Sequence, residues 1–282
     1  MSQARLMDGT GLARRIVDET AKRAADLTER TGVAPCLATV LVGEDPASVT
    51  YVRMKQNRSR KAGIESRHVA LPAGTTTDEL IGTLTALSAD PTVHGILLQH
   101  PMGHHIDERA AFEAIAPEKD VDGVTLASFS AMSFGLPGFA SCTPGGIMRL
   151  LDEYDVDPAG KRAVVVGRSA ILGKPVGMLL LGRDATVTYC HSRTADLSSV
   201  VREADIVVAA VGRPRLIRGE DIKPGAVVVD AGYNPGNVGD VDFDSARERA
   251  SLITPVPGGV GPMTIATLLA QTVEAATRQT GA

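Results

Sequence analysis

The chain has 282 residues, 44% hydrophobic and 22% charged, with 29 basic against 33 acidic residues and a formal net charge of −4. This length accommodates two domains, and the even spread of apolar residues predicts a globular fold and not disorder. The slight acidity argues against a nucleic-acid surface, which needs a clustered basic excess, and no apolar stretch is long enough to span a bilayer. We therefore expect neither nucleic acid nor a membrane as a partner.

The cysteines and the N-terminus indicate the compartment. Residues 1–10 lack the apolar core and small-residue cleavage pattern of an export signal. Several histidines lie close together around Pro101 and Gly103, but no cysteine or carboxylate completes a metal set, so no metal is expected. A reduced, cytoplasmic setting is the simplest expectation for cysteines of odd number and wide separation. They are Cys36, Cys142 and Cys190.

The first half of the chain predicts alternating helices and strands. Apolar spacing and turn signals predict helices over residues 11–30, 48–63, 77–88 and 107–115, with Thr77 as the cap of the third. Short apolar runs predict strands over residues 36–42, 67–71 and 93–98. This alternation implies a parallel sheet with helices on its faces.

Three polar residues of this half follow predicted strands. Lys55 lies on the helix after the first strand, Gln99 ends the third strand, and Asp122 lies in a polar turn over residues 117–123. Ligands of parallel α/β sheets bind beyond the carboxyl ends of the strands, so these residues form a candidate active site. On turn statistics alone, Asp122 fits a solvated turn or a helix cap better than it fits a functional site.

Tyr51 and Lys55 are four residues apart, which places a phenol and an ammonium on one face of the predicted helix. Enzymes use a lysine when burial or a nearby positive charge lowers its pKa toward neutrality. A solvated basic helix face would show the same spacing.

In the second half, the Pro- and Gly-rich residues 136–146 predict a domain joint. Helices are predicted over residues 147–154, 197–203 and 265–278, and strands over residues 162–166, 186–190, 206–211 and 226–229. The Pro- and Gly-rich residues 252–264 favour an unusual backbone geometry near a ligand, such as a cis proline, over a plain linker.

A dinucleotide site is predicted where the first of these strands ends. Glycines at 167 and 173 flank Arg168 and Ser169, and a turn of this kind lets a pyrophosphate approach the backbone at a helix N-terminus. An ordinary strand-to-helix turn is the alternative. After the next strand, Ser192 and Arg193 stand where an NAD site usually has a carboxylate, which favours NADP over NAD.

Five segments, in this order, resemble the bifunctional methylenetetrahydrofolate dehydrogenase/methenyltetrahydrofolate cyclohydrolase family over nearly the whole chain. They are Tyr-Val-Arg-Met-Lys at 51–55, Gly-Ile-Leu-Leu-Gln at 95–99, Pro-Glu-Lys-Asp-Val-Asp-Gly at 117–123, Val-Gly-Arg-Ser at 166–169 with Gly-Lys-Pro at 173–175, and Pro-Val-Pro-Gly-Gly-Val-Gly-Pro-Met-Thr at 255–264.

The resemblance implies a folate site and an NADP site. Lys55 would be the catalytic lysine, Gln99 would orient it, Tyr51 would pack on the folate, and Asp122 would hydrogen-bond the pterin. The residues implied to hold or border the cofactor are Gly167, Arg168, Ser169, Ser192 and Tyr233. Those implied to border the folate are Pro257, Gly258 and Gly259.

The resemblance also implies the fold and the domains. It implies two three-layer α/β domains with a cleft between them, the second a Rossmann-type domain. The predicted boundaries are 1–142 for a folate-binding catalytic domain, completed by a C-terminal helix at 264–282, and 143–263 for an NADP-binding domain. The last helix would cross back to the first domain, and the chain would form a homodimer.

The implied activity is NADP-dependent oxidation of 5,10-methylenetetrahydrofolate to 5,10-methenyltetrahydrofolate, followed by hydrolysis to 10-formyltetrahydrofolate. Such an enzyme serves one-carbon metabolism and thereby purine, methionine and histidine biosynthesis. The sequence departs from the family at residues 100–103 (His-Pro-Met-Gly), at Gly145 and at Tyr233. These departures affect the expected local shape of the binding pocket and not the resemblance itself. A shikimate-dehydrogenase-like oxidoreductase and a non-catalytic NADP-binding sensor are the alternatives.

Overall fold

The computed structural model describes residues 3–43 and 55–282. Contacts divide the chain into two compact units. We call them the six-stranded unit (Met1–Arg14, Met132–Leu136 and Ser141–Ala266) and the three-stranded unit (Arg15–Ala131, Pro137–Ala140 and Thr267–Ala282). Tyr51 and the predicted start of its helix lie outside the described residues.

The three-stranded unit contains a parallel sheet in the order β3-β2-β4. Strand β2 (Cys36–Val42) is central and buried at all seven positions, as its unbroken apolar sequence predicts. Strand β3 (Glu65–Leu71) lies at one edge and is largely exposed, whereas β4 (Gly95–Leu98) is buried and ends immediately before Gln99. The predicted parallel sheet is therefore confirmed, with Gln99 at its carboxyl edge.

The six-stranded unit contains a second parallel sheet, in the order β1-β9-β8-β7-β5-β6. The neighbours β7 and β6 lie on opposite sides of β5, so the chain winds in both directions from that strand, as in doubly wound nucleotide-binding sheets. Its strands are β1 (Arg5–Leu6), β5 (Arg162–Val166), β6 (Thr186–Cys190), β7 (Ile206–Ala209), β8 (Val227–Asp230) and β9 (Leu252–Ile253). The predicted mixed α/β class with parallel sheets is confirmed.

Strand β1 pairs with β9, and this pairing is one reason that Met1–Arg14 groups with the six-stranded unit by contacts. The functional boundaries at 142/143 and 263/264 stay a prediction. Two residues are too few to show a strand period, so β1 left no signal in the sequence.

Ten α-helices lie in the described residues. Their bounds are α1 Gly9–Thr31, α2 55–61, α3 Thr77–Ala89, α4 Glu108–Glu113, α5 Leu126–Ser133, α6 Cys142–Glu153, α7 Gly173–Leu181, α8 Leu197–Arg202, α9 Phe243–Arg247 and α10 Val260–Thr280. Among these helices, none is long and apolar enough to cross a membrane.

Two helices begin more than a turn earlier than predicted, and a third has a different cap. Helices α6 and α10 each begin five residues earlier than expected, because Pro144 and Pro262 lie in first turns, where proline lacks no needed hydrogen bond. Residues 143–146 are therefore helical, and the change from one unit to the other falls at 136/137 and 140/141, inside the predicted joint region. Helix α3 is capped by Thr76 and not by Thr77: the Thr76 hydroxyl accepts the N–H of Glu79, whose carboxylate accepts the N–H of Thr76.

Candidate active site and dinucleotide-binding site

Lys55 is a buried lysine, with 6% of its surface exposed. Helix α2 buries it together with Ser59, and the buried Ala62 directly after the helix continues the i, i+4 and i+7 spacing of a core-facing stripe, whereas Arg60 and Lys61 are exposed. The alternative of a solvated basic helix face therefore applies to Arg60 and Lys61 and not to Lys55. A buried ammonium needs a polar partner, because leaving it unpaired is costly.

Gln99 supplies such a partner. Its side-chain Oε1 accepts a hydrogen bond from Lys55 Nζ at 3.1 Å. Its Nε2 donates to the carbonyl oxygen of His100 at 2.7 Å, which fixes the amide so that the oxygen faces the lysine. The structure thus brings together two of the predicted residues. The implied role of Gln99 in orienting the catalytic amine stays a prediction.

Asp122 is half-buried and follows a 3₁₀ turn at Pro117–Lys119, so the expectation that it follows a strand is wrong. Its neighbour Asp120 is fully buried and accepts the N–H groups of Val124 and Thr125 at 3.0 and 2.9 Å. The structural carboxylate of this turn is therefore Asp120. Binding of a ligand by Asp122 stays a prediction.

The unusual segment at 100–103 begins with a cis peptide between His100 and Pro101. The His100 ring meets Phe112 edge to face, with 6.3 Å between ring centroids, and Met102 is buried. The segment at 100–103, where the sequence departs from the family, thus packs against the three-stranded unit through His100 and Met102.

His94 is a structural histidine. It is 2% exposed, and its Nδ1 accepts the backbone N–H of Cys36 at 3.0 Å. Burial, helped by the nearby charge of Lys119, lowers the pKa of His94. In the part of the chain that the structure describes, no three histidine, cysteine or acidic side chains are grouped to hold a metal ion.

The glycine turn after β5 permits close backbone approach. Gly167 has φ of +137°, and a Cβ there would lie 2.2 Å from the carbonyl oxygen of Ala210. A Cβ at Gly173 would lie 2.6 Å from the carbonyl carbon of Gly167. The Ser169 hydroxyl accepts the N–H of Gly173 at 3.2 Å and so holds the turn at the start of α7. The exposed Arg168 lies in this turn. Binding of a phosphate by this turn stays a prediction.

The loop after β6 carries no carboxylate where an NAD ribose would need one. Ser192 and Arg193 are exposed there, in a turn closed by a hydrogen bond from Thr194 N–H to the His191 carbonyl oxygen at 2.8 Å. The next acidic residue, Asp196, is engaged as the cap of α8, accepting the N–H of Ser199 at 3.1 Å. A hydroxyl and a guanidinium at this position fit a 2′-phosphate.

Tyr233 lies on the loop after β8 and is 70% exposed; its hydroxyl donates to Asn237 Oδ1 at 2.7 Å. Two buried carboxylates that sequence reasoning missed fix this loop and the loop after β7. Asp230 accepts the N–H groups of Gly232, Asp240 and Val241. Asp240 accepts those of Val211, Gly212 and Arg213 at 2.6, 2.9 and 2.8 Å. No spacing rule links an aspartate to a loop 27 residues upstream.

The segment at 257–259 packs against the start of α1. The peptide between Val256 and Pro257 is cis, which confirms the unusual geometry expected here. The Gly258 carbonyl oxygen accepts the N–H of Thr10 at 2.9 Å. A Cβ on Gly9 would lie 1.8 Å from the carbonyl oxygen of Gly259, so these backbones touch. A role of this segment at the folate stays a prediction.

Comparison with known proteins decides the family. The model for the tetrahydrofolate dehydrogenase/cyclohydrolase catalytic domain matches residues 7–122, and the model for the NAD(P)-binding domain of the same family matches residues 141–280. The chain belongs to the tetrahydrofolate dehydrogenase/cyclohydrolase family. It is therefore a bifunctional enzyme of folate one-carbon metabolism, with a catalytic domain and an NAD(P)-binding domain.

Individual relatives agree with this assignment. The chain is 81% identical over 278 residues to the "Bifunctional protein FolD 1" of Streptomyces avermitilis, covering 99% of this chain and 97% of the relative. It is 40% identical, with a TM-score of 0.96 and full coverage of both chains, to a Trypanosoma brucei methylenetetrahydrofolate dehydrogenase-cyclohydrolase solved with NADP and an inhibitor.

A shikimate dehydrogenase from Thermus thermophilus shares only 18% identity, with a TM-score of 0.54 over 87% of this chain and 94% of that one. That likeness shows a shared fold alone. The two family matches contradict both alternatives of the sequence analysis, the shikimate-type oxidoreductase and the non-catalytic sensor.

Proposed function

We propose that Lys55 is the general acid/base of the hydrolytic half-reaction of this enzyme, oriented by Gln99. The observation that carries the proposal is the buried contact of 3.1 Å between Lys55 Nζ and Gln99 Oε1. The overall reaction is oxidation of 5,10-methylenetetrahydrofolate with NADP to the methenyl form, followed by hydrolysis to 10-formyltetrahydrofolate. The relative solved with NADP supports this cofactor, as does the loop at Ser192 and Arg193.

The two half-reactions require different contributions from the protein, positioning for hydride transfer and proton transfer for hydrolysis. In methylenetetrahydrofolate the bridging carbon lies between two nitrogens, whose lone pairs help to expel a hydride. NADP, when bound, accepts that hydride. This step needs correct positioning more than it needs an acid or base.

Hydrolysis needs a proton carrier. Water attacks the cationic methenyl carbon, a proton leaves the attacking water, and a proton reaches the departing nitrogen as the ring opens. An amine at the position of Lys55 can take the first proton and return the second. Gln99 keeps the amine in one orientation, because the other side of its amide is anchored on the His100 carbonyl oxygen.

The remaining assignments concern binding. Tyr51 packs on the folate, Asp122 hydrogen-bonds the pterin, and residues 257–259 border the folate. The cofactor is held by residues of the glycine turn, of the loop after β6 and of the loop after β8. They are Gly167, Arg168, Ser169, Ser192, Arg193 and Tyr233. The close backbone approach at Gly167 and the exposure of the polar members support this set.

We also infer a cytoplasmic homodimer that supplies one-carbon units for purine, methionine and histidine biosynthesis. Cys36, Cys142 and Cys190 are buried and form no disulfide in the described part of the chain, which suits a reducing compartment. Phe134 and Leu136 are 80% and 60% exposed and offer apolar surface for self-association. Light scattering of the purified protein would give the mass, and a monomer at micromolar concentration would contradict the dimer.

The central proposal is tested by Lys55→Met, which removes the amine and keeps the length of the side chain. Formation of NADPH reports hydride transfer, and loss of added methenyltetrahydrofolate reports hydrolysis. We expect hydrolysis to fall by at least about 100-fold and hydride transfer by less than about 10-fold, since general acid/base groups contribute roughly 10²–10⁴-fold.

The matched control is Lys61→Met, an exposed lysine on the same helix, which should leave both activities within about twofold of wild type. Equal losses of the two activities in Lys55→Met, with folate affinity unchanged, would contradict the division of labour.

A further inference from the structure

A depression of about 760 Å³ opens on the six-stranded unit beside the loop that follows β7. Its lining includes Pro214, Ser198 at the start of α8, and Arg213, Arg215 and Arg218; we call it the arginine pocket. A volume of a few hundred Å³ or more is typical of small-molecule sites. Both the loop and the start of α8 lie at the carboxyl ends of strands, where sheets of this kind hold their ligands.

The two carboxylates of the pocket lining, Asp221 and Glu220, contact Ser198 and Arg218. The Asp221 carboxylate accepts a hydrogen bond from the Ser198 hydroxyl, and it accepts the backbone N–H of Arg218 at 2.9 Å. The Glu220 carboxylate lies 3.9 Å from the Arg218 guanidinium. The carboxylates of the lining therefore make their contacts with Ser198 and Arg218, and the lining keeps an excess of positive charge, three arginines against two acidic residues.

Arg213 and Arg215 are the two arginines of the lining that no carboxylate contacts in the described structure. Neither guanidinium makes a hydrogen bond or an ion pair with another residue in the described parts of the chain. Their backbone is nevertheless fixed: Arg213 N–H donates to Asp240 at 2.8 Å, and Arg215 N–H donates to the Gly239 carbonyl oxygen at 3.1 Å. Cations on a fixed loop lose less entropy on binding an anion than cations on a mobile one.

The position of the arginine pocket indicates which part of a bound dinucleotide would lie there. The pyrophosphate belongs over the glycine turn after the central strand β5, at a helix N-terminus. The arginine pocket instead reaches α8 through Ser198, and α8 follows directly on the loop that carries Ser192 and Arg193. It therefore lies toward the adenosine end, where NADP differs from NAD by a 2′-phosphate.

We propose that Arg213 and Arg215 bind the adenosine 2′-phosphate end of NADP and so determine the preference for NADP over NAD. The inference rests on the proposed use of NADP. It adds two cations from the loop after β7 to Arg193 from the loop after β6. A phosphate dianion between cations from two loops gains charge-assisted hydrogen bonds that a ribose 2′-hydroxyl cannot make.

The test is direct binding to the full chain, measured by calorimetry. The probes are NADP, NAD, adenosine 2′,5′-bisphosphate and inorganic pyrophosphate, and the variants are Arg213→Gln and the double Arg213→Gln/Arg215→Gln. Arg162→Gln is the matched control: Arg162 begins β5, at the opposite edge of the sheet, and pairs with Glu203 at 2.7 Å.

We expect the double variant to bind NADP and the bisphosphate at least about 10-fold more weakly, with NAD and pyrophosphate changed by less than about threefold. The control should bind every probe as wild type does. Unchanged affinity for the bisphosphate would overturn the inference. Equal weakening of NADP and NAD binding would also overturn the inference. The arginines would then bind the pyrophosphate, or attract any anion through their positive charge alone.

The binding data also distinguish an error in the proposed cofactor from an error in the role of the two arginines. Wild-type protein that binds NAD more tightly than NADP would overturn the proposed function together with this inference. Wild-type protein that prefers NADP, with a double variant that prefers it equally, overturns only the role of the two arginines. The salt dependence of NADP binding should also become shallower in the double variant, because fewer charges meet in the complex.

Discussion

Replacing Asp240 with alanine should release the loop after β7. Asp240 is fully buried, and its carboxylate accepts four hydrogen bonds. Three come from consecutive backbone N–H groups, Val211, Gly212 and Arg213, at 2.6 to 2.9 Å, and the fourth comes from the Asn234 side chain at 3.1 Å. No other acceptor for these three N–H groups occurs in the described structure, so they would depend on water.

The size of the effect follows from these bonds. A hydrogen bond to a charged group contributes roughly 1.5–3 kcal/mol, so four would give about 6 kcal/mol at the least if they were additive. They are not additive, and Gly212 and Arg213 are exposed enough for water to replace the carboxylate in part. We therefore expect a loss of about 3 kcal/mol in the free energy of opening the loop, or about a 100-fold faster exchange of its amides.

Amide hydrogen exchange measures this loop directly. The amides of Val211, Gly212 and Arg213 should be protected in wild type and exchange about 100-fold faster in Asp240→Ala. Asp244→Ala removes an exposed carboxylate four residues away and should change these rates by less than threefold. If Asp240→Ala matched this control, the carboxylate would not be what holds the loop.

Three other predictions follow from the described geometry. Asp122→Asn should weaken pterin binding, and unaltered folate affinity and turnover would remove Asp122 from the site. Gly167→Ala should weaken NADP binding by more than about 10-fold or prevent folding, because its Cβ would meet the Ala210 carbonyl oxygen at 2.2 Å and its φ is +137°; wild-type affinity would contradict this. Burial and, less strongly, the neighbouring Asp240 raise the pKa of Asp230 to about 6, against the effect of its N–H donors. The folded chain should thus bind a proton at Asp230 between pH 4 and 6 that the unfolded chain releases, and a carbon-13 titration midpoint below pH 4 would refute it.

The sequence predicts the regular elements well where apolar runs are long. The central strand Cys36–Val42 and the strand Thr186–Cys190 match their predicted bounds, because burial on both faces or a clear turn after the strand marks them. The starts of α6 and α10 were missed because proline and glycine in a first turn have the same composition as a loop. Strand β1 was missed because its pairing with β9 joins residues almost 250 positions apart.

The site was predictable in parts. The position of Gln99 follows from the end of a buried strand, and its contact with Lys55 follows from the parallel order of β2 and β4. The loop functions of Asp230 and Asp240 could not be predicted, because they depend on long-range backbone contacts. The roles of Tyr51 and Asp122 stay predictions that rest on the resemblance.

His94 in the three-stranded unit and Asp230 in the six-stranded unit contribute to folding stability with opposite dependence on pH. Because His94 Nδ1 accepts the Cys36 amide, the ring must stay neutral to bridge the strands, and burial lowers its pKa from the usual 6.5. As pH falls below 6.5 the unfolded chain takes up this proton before the folded chain does, so acid weakens this sheet. Asp230 has a raised pKa, so its protonation as pH falls from 6 to 4 favours the folded state. Mild acid should therefore disfavour the folded state through His94 and favour it through Asp230.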